Sequence, residues 1–393
     1  MAGTTIESQL TARPASAMRF ALASAEDDAA IRRLLRDNPM PGEICLAFEH
    51  EPDYFQSTGM AGGDDRIILG FEQDRLVCMG RCTFHDRFLN GESRRVGYLS
   101  ELRLDASRQG RFDILRRGYR FFRELDRSNP ADFYFTSVTA DNFRSIRFLE
   151  RGLPGMPRYE FLTDFVTLLL PVPRNRKSLT QINDRVRRRL KTSGINILPG
   201  VEADVPGLID FLNSQGRRHN LAMVWDEEKL SSLGEHGLAA GDYTILTQGG
   251  KIIGCAAVWD QRAFKQTVIR GYSRRVSLFR PLLNLGASVF NYPGLPSAGS
   301  VLAHGFLSPL AITLDDKQSL PGLIESSLLM AAHRGLEFMA LGFTRDDPRL
   351  AIVQNHFRCR EYRNRFFQVC WKDATCENVL LNGNLIFPEI SLL

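Results

Sequence analysis

A basic, glycine-containing turn between a strand and a helix is the stretch of this sequence best suited to chemistry. Arg108, Gln109, Gly110 and Arg111 follow an apolar run that ends at Leu104. The first N–H groups of a helix have no intrahelical partner and carry partial positive charge. A diphosphate can bind there, and the two arginines would add charge. An ordinary surface turn with solvated arginines would have the same residues, and the turn alone favours that plainer interpretation.

The elements around the turn follow a regular order. Apolar residues in phase predict a strand from Val96 to Leu104. A helix is expected from about Phe112 to Arg127, where Asn129-Pro130 ends it. Aromatic and β-branched residues predict a second strand from Phe133 to Thr139. A short helix follows and closes at Gly152.

This order resembles the GNAT superfamily of acyl-CoA-dependent N-acyltransferases. In that family a strand of the form L-x-V precedes a Q/R-x-x-G-x-G/A turn, and a later helix opens with Asn followed by a small residue. Leu102-Arg103-Leu104 corresponds to the strand and the segment 109–114 to the turn. Asn142 and Ser145 correspond to the later helix. The direct match covers about fifty of the 393 residues.

Two features depart from the family pattern. Phe112 stands where the family has a glycine, or Arg111 does if Arg108 starts the motif, and Ile114 takes the last Gly/Ala place. Glycine there lets the backbone approach the phosphates. A bulky side chain there weakens a CoA site unless it turns away from the N–H groups. The family's tyrosine, which protonates the leaving thiolate, is replaced by Phe148 or Leu149.

The resemblance implies direct attack of a primary amine on an acyl-CoA, acetyl-CoA above all, with no covalent enzyme intermediate and no metal. The residues implied at the cosubstrate are Leu102, Arg103, Leu104, Arg108, Gln109, Gly110, Arg111, Phe112, Asp113, Asn142 and Ser145. Glu101 is the best-placed candidate base, and a surface carboxylate paired with an arginine is the equal alternative. Tyr98 is a candidate acid, with packing as the alternative. Asn142 also suits capping of its own helix.

The second half of the chain repeats the first. Asp27, Ile68 and Cys78 recur 177 positions later as Asp204, Ile245 and Cys255. The predicted strands and helices also recur in the same order, which indicates a tandem duplication. The alternative is one α/β domain with an unrelated second domain.

The second copy has lost the phosphate turn. Its equivalent at 314–322 contains Asp315-Asp316, which repel phosphate, and Pro321, which removes a donor N–H. We therefore expect the first copy to bind the acyl-CoA and the second to support it or to shape the acceptor pocket.

These patterns predict an α/β (α+β) chain of two tandem GNAT-like domains, each a mixed, mainly antiparallel sheet flanked by helices. The predicted boundaries are a disordered tail at 1–17, an acyl-CoA-binding domain at 18–172, a basic linker at 173–193 and a degenerate second domain at 194–393.

Composition narrows the function classes. The chain is 44% hydrophobic and 24% charged, as is usual for globular proteins, and has no apolar run of the ~20 residues that span a bilayer. Seven scattered cysteines without C-x-x-C spacing are typical of a reducing cytoplasm and give no metal site. The net charge of +5 is mild. The basic run from Arg174 to Lys191 favours a solvated connector over a nucleic-acid patch. Contact of some of its arginines with the CoA 3′-phosphate is a third alternative.

Three functions remain open at this stage. An acyl-CoA-dependent N-acyltransferase is favoured. A catalytically inactive GNAT-like protein that binds a ligand or partner is the first alternative, suggested by Phe112 and the missing tyrosine. An aminoacyl-tRNA-dependent transferase is supported only by the basic run. The acceptor amine and the acyl length cannot be inferred, and a homodimer is left open. Candidates for the acceptor cleft are Phe48, Tyr54, Phe55 and Met60, with His304 and His356 as further substrate contacts.

Overall fold

The computed structural model describes residues 18–289, 293–313, 319–371 and 381–393. Two expectations therefore lie outside the described residues: the disordered tail at 1–17 and the acidic pair Asp315-Asp316.

Strands and helices alternate along the chain. The strands are β1 (Met18–Leu22), β2 (Ile44–Glu49), β3 (Asp64–Glu72), β4 (Arg75–Leu89), β5 (Glu92–Leu104), β6 (Phe133–Thr139), β7 (Arg158–Pro171), β8 (Ile195–Pro199), β9 (Tyr243–Gln248), β10 (Lys251–Trp259), β11 (Gln266–Tyr272), β12 (His304–Ile312), β13 (Phe338–Thr344) and β14 (Arg360–Cys370). The helices are α1 (Asp28–Asp37), α2 (Phe112–Asp126), α3 (Phe143–Glu150), α4 (Arg176–Ser193), α5 (Val205–Gly216), α6 (Glu227–Glu235), α7 (Arg274–Val289), α8 (Leu320–His333) and α9 (Pro348–His356).

Local sequence chemistry fixes the long hairpin that carries the candidate site. Asn90 and Gly91 connect β4 to β5, and both have positive φ (55° and 86°). A two-residue turn of this kind matches the twist of the flanking strands, and Asn-Gly adopts it readily. The turn sets the register of β5 against β4, so it also determines which β5 residues oppose Gly80 further along.

Twelve strands form one sheet in the order β1-β3-β4-β5-β6-β14-β7-β13-β12-β10-β9-β8. Every neighbouring pair is antiparallel except β5–β6 and β12–β13. This mixed, mainly antiparallel sheet flanked by helices confirms the predicted fold class. The order β1-β3-β4-β5-β6 recurs from the opposite edge as β8-β9-β10-β12-β13, so the two halves repeat one topology.

The two halves exchange their last strands. β7 pairs with β13 of the second half, from Phe165↔Thr344 to Pro171↔Phe338. β14, from the end of the chain, pairs with β6 of the first half and with β7. One continuous sheet therefore crosses the boundary expected at 172–173, and that boundary stays a prediction about folding units.

The segment expected to be a solvated linker is the helix α4. Its residues Ile182 and Val186 are buried, and Arg185 Nε donates to Glu325 Oε1 of α8 at 2.8 Å. The four-residue spacing puts one apolar stripe on the second half and leaves most of the arginines exposed. The basic run is thus an amphipathic helix, and its role as a linker between two folding units stays a prediction.

A small two-stranded sheet ties the halves together a second time. β2 of the first half pairs with β11 of the second, from Ile44↔Tyr272 to Glu49↔Gln266. The Gln266 side chain also accepts from Glu51 N–H (2.9 Å) and donates to its carbonyl oxygen (2.8 Å). This pairing brings the loop before β11 against the first half.

Candidate active site

The parallel strands β5 and β6 separate at one end. Their pairing stops at Leu99↔Thr136, although β5 continues to Leu104 and β6 to Thr139. Thr136 Oγ1 donates to the Leu99 carbonyl oxygen at 2.7 Å and marks the apex of the gap. Beyond it, the side of β5 that faces β6 has no pairing from β6. We call this opening the first gap; an extended, amide-bearing ligand can pair with such an edge as an added strand.

A β-bulge lies in β5 just past the apex. Arg81 pairs with Ser100 and Met79 with Arg103, so Glu101 and Leu102 together oppose Gly80. Glu101 has φ +52°, an uncommon value for a residue with a side chain. A bulge interrupts the ladder and re-aims the local backbone groups. Here it changes the direction of the main chain at the point where the first gap opens.

The Glu101 carboxylate is held on several sides. Tyr54 Oη donates to Oε2 at 2.5 Å, His50 Nε2 lies 3.1 Å from Oε1, and Arg81 Nη1 lies 3.8 Å from Oε1. Burial raises the pKa of Glu101, but His50, Arg81 and the tyrosine hydrogen bond outweigh it and hold the pKa well below its usual range. A carboxylate so stabilised is a weak proton acceptor, so this geometry favours an anchor for the bulge over the base role expected from sequence.

Arg81 is itself fixed by β3 and by the loop before it. Its guanidinium is 6% exposed; Nε donates to Asp65 Oδ1 at 2.7 Å and Nη2 to the Ser57 carbonyl oxygen at 2.8 Å. The buried ion pair needs these extra hydrogen bonds to offset desolvation. The anchor of the bulge is therefore continuous with β3 and β4.

Lys265 comes from the second half, in the loop before β11. Its Nζ donates to a main-chain oxygen of Leu393 at 3.0 Å. Burial lowers the pKa of Lys265 to about 8, against the opposing influence of the Glu101 charge. Near pH 8 this side chain is therefore divided between the charged and the uncharged amine. Sequence reasoning missed it, because a single lysine in Gln-Arg-Ala-Phe-Lys-Gln carries no motif.

Tyr98 lies on β5 before the apex and is buried. Its Oη is 2.7 Å from Ser137 Oγ of β6. Burial raises the pKa of Tyr98 to about 12, although the Ser137 hydrogen bond and the Arg87 charge lower it. The hydroxyl therefore keeps its proton and is suited to donating a hydrogen bond. It is a weak source of a proton for a thiolate, whose conjugate acid has a pKa near ~8.5.

The two arginines of the basic turn are both paired. Arg108 Nε donates to Glu72 Oε2 at 2.7 Å, and Arg111 Nε and Nη2 donate to Asp113 at 2.8 and 2.9 Å. Each positive charge is thus matched by a neighbouring carboxylate. The turn offers a diphosphate less net charge than its sequence indicates.

The amides of the turn are also partly occupied. Arg111 N–H donates to the Arg108 carbonyl oxygen (3.1 Å), Phe112 N–H to that of Gly110 (3.0 Å) and Ile114 N–H to that of Arg111 (3.1 Å). Gly110 has φ +86°, and both Gly110 and Gln109 are exposed.

The Phe112 ring turns onto α3. It stacks on Phe148 with centroids 4.5 Å apart and an interplanar angle of 16°. The ring bridges the first residue of α2 and the middle of α3, beside the mouth of the first gap. Phe112, at a glycine position of the family pattern, thus contacts Phe148, one of the two residues nearest the position of the family's tyrosine.

The remaining expected site residues differ in their surroundings. Asn142 Oδ1 accepts from Ser145 N–H at 3.2 Å and so caps α3. Leu102 is 40% exposed, and Leu104 pairs with Cys78. Arg103 Nη1 donates to the Leu102 carbonyl oxygen at 3.1 Å, and no carboxylate of a described residue forms a salt bridge with its guanidinium.

The candidates for the acceptor cleft have different surroundings. Tyr54 alone joins the Glu101 cluster. Met60 accepts from the His85 ring through its main-chain oxygen. His304 is buried with Nδ1 near the Leu302 carbonyl oxygen (3.1 Å), and His356 is exposed on α9.

The second half contains a matching gap. Pairing of β12 with β13 stops at Phe306↔Ala340, and both strands continue. A bulge follows, because Ala256 pairs with Leu310 and Val258 with Leu307. Ser308 and Pro309 therefore take the places of Glu101 and Leu102. Pro309 has no N–H to offer at this bulge.

This second gap is filled by the chain itself. Ser308 Oγ donates to Glu389 Oε2 at 2.6 Å and lies 2.8 Å from Ser391 Oγ. The Phe387 ring stacks near Phe343 of β13, with centroids 6.0 Å apart. Leu392 is buried as well. The segment 387–392 thus lies where a ligand would have to lie.

Three solved structures share this architecture. A GCN5-related glucosamine N-acetyltransferase region of a fungal multi-domain GH3 beta-N-acetylglucosaminidase aligns over 90% of this chain at 12% identity and a TM-score of 0.58, and the aligned part spans only 38% of that longer chain. Saccharomyces cerevisiae N-myristoyltransferase with bound myristoyl-CoA aligns over 90% of this chain and 83% of its own, at 12% identity and a TM-score of 0.57. A GCN5-related N-acetyltransferase from Sphaerobacter thermophilus aligns over 89% and 95%, at 10% identity and a TM-score of 0.51. The chain therefore has the GNAT fold, as the motif resemblance predicted.

Sequence comparison adds nothing to this assignment. No protein-family model matches the chain, and no curated protein matches it either. Of the helices that the structure describes, none is both long and apolar enough to cross a membrane. Among the described residues, no group of three or more histidine, cysteine or acidic side chains is arranged to hold a metal ion.

Proposed function

We propose that the protein is an N-acyltransferase that moves an acyl group from a pantetheine thioester to a primary amine. Acetyl-CoA is the donor expected from the motif resemblance. The observation that carries the proposal is the first gap, which opens next to a bulge and leaves the β5 edge without pairing from β6. Pantetheine is an extended chain with two amides, so it matches an unpaired strand edge.

The chemistry needs no covalent intermediate. The amine nitrogen attacks the thioester carbon, and the developing oxyanion is stabilised by main-chain N–H groups of the bulge at Glu101 and Leu102. Collapse breaks the carbon–sulfur bond and releases the thiol. Tyr98 stabilises the departing sulfur by a hydrogen bond rather than by giving up its proton.

The amine must also lose a proton. Lys265 is suited to accept it, since its lowered pKa keeps part of the population neutral near pH 8. Glu101 is the alternative acceptor, and its lowered pKa makes it the weaker one. The two candidates predict different pH profiles, as described below.

The first test measures product formation. Acetyl-CoA, longer acyl-CoAs and acyl-pantetheines would be incubated with a panel of primary amines, and thiol release would be compared with N-acyl product by mass spectrometry. We expect matched amounts of thiol and amide for at least one pair. Absence of transfer together with absence of calorimetric binding of every donor at millimolar concentration would favour a catalytically inactive GNAT-fold protein.

A further inference from the structure

The surface beside the first gap carries unpaired positive charge. Two arginines lie one turn apart on α2, two lie on α3, and one directly follows the last residue of α3. They are Arg116, Arg120, Arg144, Arg147 and Arg151. All five are exposed, and none forms a salt bridge with a carboxylate of the residues described. We call these five residues the basic face.

The basic face is continuous and adjoins the gap. Phe112, Arg116 and Arg120 are spaced by four residues and share one stripe of α2. Phe112 stacks on Phe148 of α3, and the Arg116 stem lies against Gly155 just past α3, where an added Cβ would meet it at 2.9 Å. α2 follows the end of β5 and α3 follows the end of β6, so both helices begin at the mouth of the first gap.

Free CoA would need positive charge at the turn that binds its diphosphate, but the unpaired positive charge lies elsewhere. The turn that faces a diphosphate has its arginines neutralised by Glu72 and Asp113. The unpaired arginines instead cover the outer surfaces of two helices, an area much wider than one diphosphate. An anion with a broad, many-charged surface matches that distribution.

We propose that the acyl donor is delivered by an acidic carrier protein, whose 4′-phosphopantetheine arm enters the first gap while its acidic surface docks on the basic face. A carrier arm ends in one phosphodiester and has neither a diphosphate nor an adenosine. It therefore needs the gap but not the turn. The inference rests on the proposed function and names the donor of the same reaction.

The transfer balances without a further reactant. The amine nitrogen forms a bond to the acyl carbon as the carbon–sulfur bond breaks. The electron pair of that bond stays on sulfur, and the proton lost by the amine passes to the sulfur. The free-thiol form of the carrier leaves together with the amide product.

The test compares three donors that share one acyl group. An octanoyl carrier protein from fatty acid synthesis, octanoyl-CoA and octanoyl-pantetheine would each be titrated with the amine that reacts best. We expect kcat/KM for the carrier protein to exceed that for octanoyl-CoA by at least about tenfold at low salt, and to fall with added salt. Octanoyl-pantetheine should show little salt dependence.

Charge reversal locates the docking surface. Arg144→Glu combined with Arg147→Glu should lower kcat/KM for the carrier protein at least about tenfold and leave octanoyl-pantetheine unaffected. Lysine at both positions should retain most of the carrier activity. Arg176→Glu with Arg187→Glu on α4 is the matched control, since it makes the same charge change away from the gap and should leave the carrier preference intact.

Several results would overturn the proposal. One is equal use of octanoyl-CoA and carrier protein with no effect of charge reversal. Another is loss of CoA-dependent transfer in Gly110→Asp but not in Gly110→Ala, because both variants share the backbone strain at φ +86° and only the charge differs. Transfer from aminoacyl-tRNA in place of all three donors would also contradict it. Failure of the acyl-pantetheine as well as both larger donors, with the acetyl group as with the octanoyl group, would instead refute the proposed acyltransferase function.

Discussion

The two gaps of the sheet begin alike and end differently. In each half a parallel pair separates, at Leu99–Thr136 in the first and at Phe306–Ala340 in the second. In each, a bulge of two residues opposes one residue of the neighbouring strand. The first gap stays open beside the exposed Leu102, whereas residues 387–392 of the chain fill the second.

This difference shows that the fold supplies an opening and the sequence decides its occupant. The second gap has an apolar and hydroxyl-rich filling, with Phe387 and Leu392 packed inside and Ser308 bonded to Glu389. Its bulge carries Pro309, which removes a donor. The first gap retains its N–H groups and is surrounded by titratable side chains. One half is therefore suited to ligand binding and the other to structural support.

The largest expected effect is that of Lys265, which tests whether the second half contributes a side chain to the reaction in the first gap. Lys265→Met should lower kcat by about 10²- to 10⁴-fold, because the reaction loses its proton acceptor. In the wild type, kcat/KM should rise with pH, reach half its maximum near pH 8 and level off above it, since Lys265 must be neutral to act. Rates for the variant and the wild type across pH 6–10 would measure both effects.

If Glu101 accepts the proton instead of Lys265, the pH profile should differ. If Glu101 were the base, the rate of the wild type would already be flat at pH 6, because its pKa lies well below its usual range. A flat profile together with a Lys265→Met variant of normal rate would remove Lys265 from the mechanism and restore Glu101.

These two residues also show how far sequence alone reaches. The strand–turn–helix order and the Asn90-Gly91 turn depend on local patterns and can be predicted from neighbouring residues. The duplication can be predicted from a constant offset of 177 positions. Glu101 was identified because it adjoins the motif strand. Lys265 was not, since the loop that carries it is brought against the first half by the pairing of β11 with β2, across more than half the chain. The pairing of Arg108 with Glu72 is likewise a tertiary contact that the turn sequence does not encode.

The second prediction makes the first bulge resemble the second. Leu102 occupies the position of Pro309, so Leu102→Pro removes the corresponding N–H from the open gap. We expect kcat to fall about 10²- to 10³-fold, as for loss of one oxyanion donor. Leu102→Ala is the matched control; it keeps the N–H and should retain activity within several-fold. Calorimetry should detect donor binding in both variants, and an unaffected rate in Leu102→Pro would exclude this N–H as an oxyanion donor.

The third prediction opens the second gap. Phe387 is 7% exposed and packs against Phe343 and the Arg349 guanidinium. Phe387→Ala should lower the free energy of unfolding by about 3 kcal/mol, because it leaves a cavity between β12 and β13. Chemical denaturation would measure the loss. Acyl donors should not bind in the new space, since Pro309 still provides no N–H; a second binding event by calorimetry would contradict this comparison of the gaps.

The smallest predicted effect is on the pH dependence of stability. The carboxyl groups at the two gaps should change the free energy of unfolding with pH in opposite directions. Burial raises the pKa of Glu389 to about 7, against the hydrogen bond from Ser308 and the charges of Arg87 and Arg349. The folded protein therefore holds a proton that the unfolded chain has lost above its ordinary value of 4.5. This contribution to stability is present below that value and disappears as pH rises through 7. Glu389→Gln should abolish a decrease of about 2 kcal/mol between pH 5 and 8.

Glu101 provides the contrasting case, since its pKa is lowered rather than raised. Its contribution is present above the ordinary value and is lost on acidification, so Glu101→Gln should flatten only the acid side of the stability curve. Denaturation midpoints for both variants from pH 3 to 8 would resolve the two slopes. Equal slopes in Glu389→Gln and the wild type near neutral pH would mean that the filled gap holds its carboxyl group ionised. Both gaps would then have an ionised carboxylate, although only the second gap is filled by the chain.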